Sequence, residues 1–116
     1  MEERFSFLDP QGHRVAAILT VPDGGTDKIA ILCHGFLSSK ISSTNNALTR
    51  ILIDHGIATF RFDFFGQGES EGPFERITVS LAVEQAQRAV DLMRERGYRH
   101  IGLMGSSFGG LVATLT

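Results

Sequence analysis

Apolar residues recur along the chain with two spacings, one typical of strands and the other of helices. From Arg4 to Leu8 they alternate with polar residues, as in a strand with one buried face. A second strand is predicted from His13 to Val21. Because Asp9-Pro10-Gln11-Gly12 between them has the composition of a turn, the two strands are predicted to form an antiparallel hairpin.

Three short and nearly continuous apolar runs follow the hairpin. They lie at 28–33, 57–62 and 100–104, and each suits a strand that is buried on both faces of a parallel sheet. Helical spacing separates the runs. The apolar residues with this spacing are Ala47, Leu48, Ile51 and Leu52 in the first helix, and Ala82, Ala86, Ala89, Val90 and Met93 in the second.

Capping residues bound both predicted helices. Ser42, Ser43 or Thr44 can begin the first and Thr78 the second, while Gly56 and Gly97 end them. Strands that alternate with helices after a leading hairpin predict an α/β fold with a mainly parallel sheet.

The third apolar run leads into Gly105-Ser106-Ser107-Phe108-Gly109, and more apolar residues with helical character follow. A G-x-S-x-G between a strand and a helix is typical of a nucleophile elbow, where a sharp turn exposes a serine hydroxyl at the end of a sheet. Ser107 has the two glycines at the required spacing and Ser106 does not. A Cβ at Gly105 or Gly109 would collide with the neighbouring strand or helix.

A second G-x-S-x-G is centred on Ser70. The carboxylates of Glu69 and Glu71 flank this serine and would repel a developing oxyanion, and no apolar helical run follows it. The sequence therefore predicts Ser107 as the nucleophile and Ser70 as part of a turn.

Three loops follow the three predicted parallel strands. They begin with His34-Gly35-Phe36, with Asp63 and with Gly105. Ligands of such sheets bind beyond the carboxyl ends of the strands, so the three loops are expected to meet at one site. For Asp63 we favour a structural role, as an acceptor of backbone hydrogen bonds in a tight turn.

With these motifs in this order, the chain resembles the N-terminal half of an α/β-hydrolase over nearly its whole length. Residues 61–75 are more narrowly similar to the cinnamoyl (feruloyl) esterase-like group and to serine aminopeptidase-like hydrolases. Phe108 is a departure, because the feruloyl esterases carry glutamine after the serine. The resemblance implies acyl transfer through Ser107, an oxyanion hole formed by the backbone N–H groups of Phe36 and Phe108, and structural support from His34, Gly35, Gly105 and Gly109.

The general base is missing from this sequence. In the α/β-hydrolase order an Asp or Glu and then a His follow the serine, but residues 108–116 contain neither. His34 could lie near Ser107, and we favour a role in orienting the oxyanion loop over that of a base. Residues 1–116 are therefore expected to be a partial α/β-hydrolase domain, truncated in the helix after the elbow and inactive alone.

Three functions stay open at this point. The first is a carboxylesterase-type serine hydrolase acting on a small-molecule ester, the second a related enzyme acting on amides in the manner of an aminopeptidase. The third is a non-catalytic binding module or pseudoenzyme. No His–carboxylate spacing suggests a metal site, and neither a metal nor another cofactor is expected.

Composition limits the classes of binding partner and the cellular locations that we expect for this protein. The net charge of -2 gives no reason to expect nucleic acid or an anionic membrane. No apolar run approaches the roughly 20 residues that span a bilayer. The acidic start of the chain is unlike a signal peptide, and Cys33 is the single cysteine, so a cytoplasmic location is expected.

Overall fold

The structure is a computed structural model that describes residues 1–34, 39–70, 72, 78–105 and 108–115. Within them, five strands form one sheet and three helices pack beside it. The strands are β1 (Glu2–Leu8), β2 (Arg14–Thr20), β3 (Lys28–Cys33), β4 (Ala58–Phe62) and β5 (His100–Gly105). The helices are α1 (Ser43–Asp54), α2 (Val79–Glu95) and α3 (Phe108–Leu115).

The strand order in the sheet is β1-β2-β4-β3-β5. β1 and β2 form the predicted antiparallel hairpin, and β3 pairs in parallel with β4 on one side and β5 on the other. The antiparallel pairing of β2 with β4 was not predicted, so the sheet is mixed rather than mainly parallel. Because β3, β4 and β5 run in one direction, their carboxyl ends lie at the same end of the sheet, as the predicted site requires.

An aromatic cluster fills the core between the sheet and α2. The side chains of Phe60, Phe62 and Phe64 are fully buried, and the rings of Phe62 and Phe64 meet edge to face with centroids 5.0 Å apart. Each buried phenylalanine side chain contributes about 1.5–3 kcal/mol relative to an exposed one. All five residues of the predicted α2 stripe are buried and belong to the same core cluster as the three rings.

Helix α1 differs from its sequence pattern. It begins after the cap Ser42, as expected, but its buried residues are Asn45 and Thr49, while Ile51 is 55% exposed. The reason is the polar surface that β4 presents to this helix. Arg61 of β4 is buried and donates to the Asn46 side chain over 2.6 Å.

Strand β5 lies at the edge of the sheet and its residues are half-buried or exposed. A groove of 580 Å³ runs along β3 and β5 beside α1, lined by apolar residues that include Ile29, Leu52 and Met104. The strand that precedes Ser107 in the sequence therefore has an accessible apolar side.

A buried polar network joins the hairpin turn to α2. Asp9 accepts hydrogen bonds from the backbone of Gln11 and His13 and from Nε2 of Gln85 at 2.9 Å. The Gln85 amide oxygen in turn accepts from the Phe65 N–H over 2.9 Å. Burial raises the pKa of Asp9, but the hydrogen bonds outweigh burial and hold the pKa below its ordinary value of 3.8. The ionised form is therefore the one that stabilises the fold.

We expect Asp9→Asn to lower the free energy of unfolding by about 1–3 kcal/mol at pH 7, because the amide cannot accept all of these bonds. A lowered pKa contributes stability that is present above pH 3.8 and is lost as the pH falls through the folded-state value. The gap between variant and wild type should therefore narrow progressively as the pH falls below 3.8. Urea unfolding at pH 7 and at a series of lower pH values measures it, with the exposed Asp23→Asn as control. A gap that is independent of pH would contradict this account.

Candidate active site

The structure describes part of the predicted site. His34, Gly105, Gly109 and the backbone of Phe108 belong to it, while 35–38 and 106–107, with Phe36 and Ser107, lie outside the described residues. β5 ends at Gly105 and α3 begins at Phe108, so Ser107 stands in the sequence between a strand and a helix.

Gly109 brings the first turn of α3 against the end of β3. A Cβ at this position would collide with the backbone carbonyl oxygens of Cys33 and His34. The glycine therefore allows an approach that no other residue would permit. It fixes the start of α3 relative to His34.

The His34 side chain is buried directly after β3. Its Nε2 accepts a hydrogen bond from the Phe64 N–H over 3.0 Å, and its ring packs edge to face on Phe64. Because a backbone N–H can only donate, Nε2 carries no proton and is occupied. This geometry supports the role of His34 in positioning its loop and disfavours that of a general base.

Asp63, directly after β4, has no solvent exposure. Its carboxylate accepts from the Lys40 N–H at 2.7 Å, from Nζ of Lys40 at 2.6 Å and from the Glu69 N–H at 2.9 Å. The expected role as acceptor of backbone hydrogen bonds is confirmed. Gly68 has a φ of +55°, and a Cβ there would collide with the carboxylate, so the turn closes around Asp63.

The ion pair of Lys40 with Asp63 was not predicted. Lys40 is 3% exposed, and its Nζ also donates to the carboxylate of Glu69 over 2.7 Å. That hydrogen bond, with the lysine charge, holds the pKa of Glu69 below its ordinary value of 4.5. Glu69 itself is largely exposed, so the contact adds little stability.

Ser70 is a structural residue of the turn. Its Oγ accepts from the Ala16 N–H over 2.9 Å and donates to the backbone oxygen of Asp63. With its hydroxyl proton held by a carbonyl oxygen, Ser70 has no base to activate it. These bonds agree with the prediction that Ser70 is part of a turn.

Other reactive or aromatic residues near the strand ends do not add to the site. Phe64 and Phe65 are buried and pack in the core. Burial raises the pKa of the Cys33 thiol to about 12, so it stays protonated at neutral pH and does not compete as a nucleophile. His55 and His100 are exposed.

Sequence reasoning missed Lys40 and Gln85. A signal for Gln85 was present, because it falls within the buried stripe of α2 between Ala82 and Ala86, where a polar residue implies a buried hydrogen-bond partner. Lys40 had no such signal, since it lies in a loop without periodicity.

Comparison with known proteins identifies the family to which this chain belongs. The sequence profile of the family described as serine aminopeptidase, S33, matches residues 24–116. An uncharacterised 31.7 kDa protein of Escherichia coli, from the traX–finO intergenic region, is 31% identical over 103 residues. The match covers 83% of this chain and 35% of that protein.

Solved structures agree with the profile. Est1E of Butyrivibrio proteoclasticus, with ferulic acid bound, has 29% identity and a TM-score of 0.88 over 96% of this chain and 45% of its own. A putative hydrolase of Agrobacterium vitis has 26% identity and a TM-score of 0.87 over 97% of this chain and 43% of its own. The esterase Pf2001 of Pyrococcus furiosus, 24% identical, shares the fold with a TM-score of 0.86, over 97% of this chain and 45% of its own. The chain thus spans less than half the length of these proteins.

No helix in the described part of the chain combines the length and the hydropathy of a membrane-spanning segment.

We expect Gly109→Ala to lower the free energy of unfolding by about 1–3 kcal/mol, because its Cβ cannot fit against two carbonyl oxygens without moving α3. Gly102→Ala is the matched control, since a Cβ at this exposed strand position meets nothing within 4 Å. It should change stability by less than about 0.5 kcal/mol. Chemical unfolding of both variants measures the difference, and equal effects would refute the contact.

Proposed function

Because the chain belongs to the serine aminopeptidase S33 family and has the α/β-hydrolase fold, we propose that it carries the nucleophile of a serine hydrolase that transfers the acyl group of an ester to water. The observation that carries the proposal is the position of Ser107 between the end of β5 and the start of α3. That junction is where the nucleophile elbow of this fold lies.

In the proposed reaction, Ser107 Oγ attacks the ester carbonyl carbon and its proton passes to a base. The carbonyl oxygen becomes an oxyanion, the alcohol leaves, and water then hydrolyses the acyl-enzyme. The Phe108 N–H suits the oxyanion because the first N–H groups of a helix have no partner within it. The Phe36 N–H is the proposed second donor, and each donor lowers the barrier by about 3–4 kcal/mol.

The catalytic acid and histidine are proposed to come from polypeptide outside these 116 residues. Residues 108–116 hold neither, and Nε2 of His34 is occupied by the Phe64 N–H. The solved relatives are more than twice as long as the matched segment. Under this proposal, Ser107 becomes reactive only when the polypeptide that carries the acid and the histidine is present.

The proposed substrate is a small-molecule carboxylic ester. The 29% identity to a protein that binds ferulic acid supports an ester of an aromatic acid. The family description supports a second candidate, cleavage of an N-terminal peptide bond by the same acyl-transfer chemistry. A cytoplasmic location belongs to the proposal, because a chain with a single cysteine forms no intrachain disulfide and does not depend on an oxidising compartment.

We expect a fluorophosphonate probe to label the product of the complete reading frame that encodes this chain, and Ser107→Ala to abolish labelling. The matched control is Ser106→Ala, which removes the neighbouring hydroxyl and should retain labelling. Hydrolysis of an aromatic p-nitrophenyl ester and of an aminoacyl p-nitroanilide separates the esterase from the peptidase. Labelling that survives Ser107→Ala would exclude this nucleophile, and a folded wild type that never reacts would indicate a pseudoenzyme.

Residues 1–116 expressed alone should show no turnover of the same ester, because a serine without its base loses most of its reactivity. The full product serves as the positive control at equal concentration. Turnover by the purified segment above that of its Ser107→Ala variant would mean that a group within this chain acts as the base.

A further inference from the structure

Two consecutive residues after β4 hold both ends of the loop that follows β3. At the first end, the Phe64 N–H donates to His34 Nε2 over 3.0 Å. At the other end, the backbone N–H and the Nζ of Lys40 donate to the two carboxylate oxygens of Asp63, over 2.7 and 2.6 Å. We refer to His34, Lys40, Asp63 and Phe64 as the loop clamp. The proposed oxyanion donor Phe36 lies between its two ends.

Burial distinguishes the two acidic partners of Lys40. The side chains of Lys40 and Asp63 are 3% and 0% exposed, whereas that of Glu69 is 72% exposed. Desolvation of a buried ion pair costs about as much as the attraction returns, so this pair is a weak source of net stability. The pair does fix the position of the loop, because Asp63 accepts hydrogen bonds from both the backbone N–H and the Nζ of Lys40.

The loop clamp also fixes the loop after β3 relative to the start of α3. The first turn of α3 lies against the carbonyl oxygens of Cys33 and His34, at the contact that Gly109 permits. The start of α3 and the first end of the loop therefore meet at His34. The two proposed oxyanion donors, one at the start of α3 and one in the loop, share this reference point.

We propose that Lys40, through its ion pair with Asp63, is a positioning residue that fixes the Phe36 N–H at the oxyanion. The inference rests on the proposed function. It assigns no contact between Lys40 and the substrate. An error of about 1 Å in the placement of a donor can cost on the order of 100-fold in rate, so loss of the ammonium tether should lower kcat more than it changes KM.

The test compares Lys40→Met with Glu69→Gln in the full reading-frame product. The first keeps the backbone hydrogen bond and the unbranched part of the side chain but removes the ammonium group. We expect kcat and the rate of fluorophosphonate labelling to fall about tenfold to 100-fold, with KM within about threefold. Glu69→Gln removes only the exposed partner and should keep kcat within about twofold.

Two further variants separate positioning from stability. In the double variant Lys40→Met/Asp63→Asn no unpaired charge stays buried, so stability should recover relative to the single variant while kcat stays low. Ser70→Ala weakens the same turn from its other side and should lower stability without lowering the kcat of folded protein. A double variant with the kcat of the wild type, or losses of kcat that follow stability across all variants, would overturn the inference.

Amide hydrogen exchange tests the clamp independently of activity. Exchange at 35–40 should be at least about tenfold faster in Lys40→Met than in Glu69→Gln. Unchanged exchange overturns the clamp whatever the activity. An unreactive Ser107 in the wild type overturns the proposed function, and with it the assignment of Lys40 to an oxyanion donor, even where exchange shows that the clamp exists.

Discussion

The Asp63 carboxylate, which has no exposure to solvent, sets the arrangement of the loops at the carboxyl ends of β3 and β4. A buried charge must find partners, and here they come from two directions. Lys40 brings the loop after β3 to it, and the Glu69 N–H closes the turn after β4 around it. A Cβ at Gly68 would collide with the carboxylate, so a glycine there lets the turn close around it. Two irregular segments thus acquire one geometry because they share an acceptor.

Beyond the ends of the strands, side chains accept hydrogen bonds from backbone N–H groups that have no partner in the sheet. Buried N–H groups need a partner, and irregular segments cannot find one in a strand ladder. In the described parts of the hairpin and of the segment after β4, side chains provide it at several positions, among them Gln11 and His13, whose N–H groups donate to Asp9. The other donors and their acceptor residues include Phe64 with His34, Phe65 with Gln85, Glu69 with Asp63 and Ala16 with Ser70.

Sequence patterns predicted the elements well because they depend on burial that neighbouring residues share. The hairpin, the three parallel strands and the α2 stripe follow from such periodicity. The patterns failed where a distant polar group decides burial: α1 buries Thr49 rather than Ile51 because β4 presents Arg61 and Thr59 to it. Lys40 was missed for the same reason, since only the fold places Asp63 beside it. The predicted nucleophile Ser107 lies outside the described residues and stays a prediction.

Fold and site geometry in this chain depend on different interactions. The sheet and its packing on α2 rest on apolar burial, in which Phe60 and Phe62 have no polar partner to lose. The loops beyond the strands rest on hydrogen bonds and one buried ion pair, which contribute little net stability but hold atoms at set distances. Substitutions of the second kind can therefore change what the edge does while the sheet persists. By that argument, polar residues such as Lys40 and His34 carry more information about function than their small share of the stability suggests.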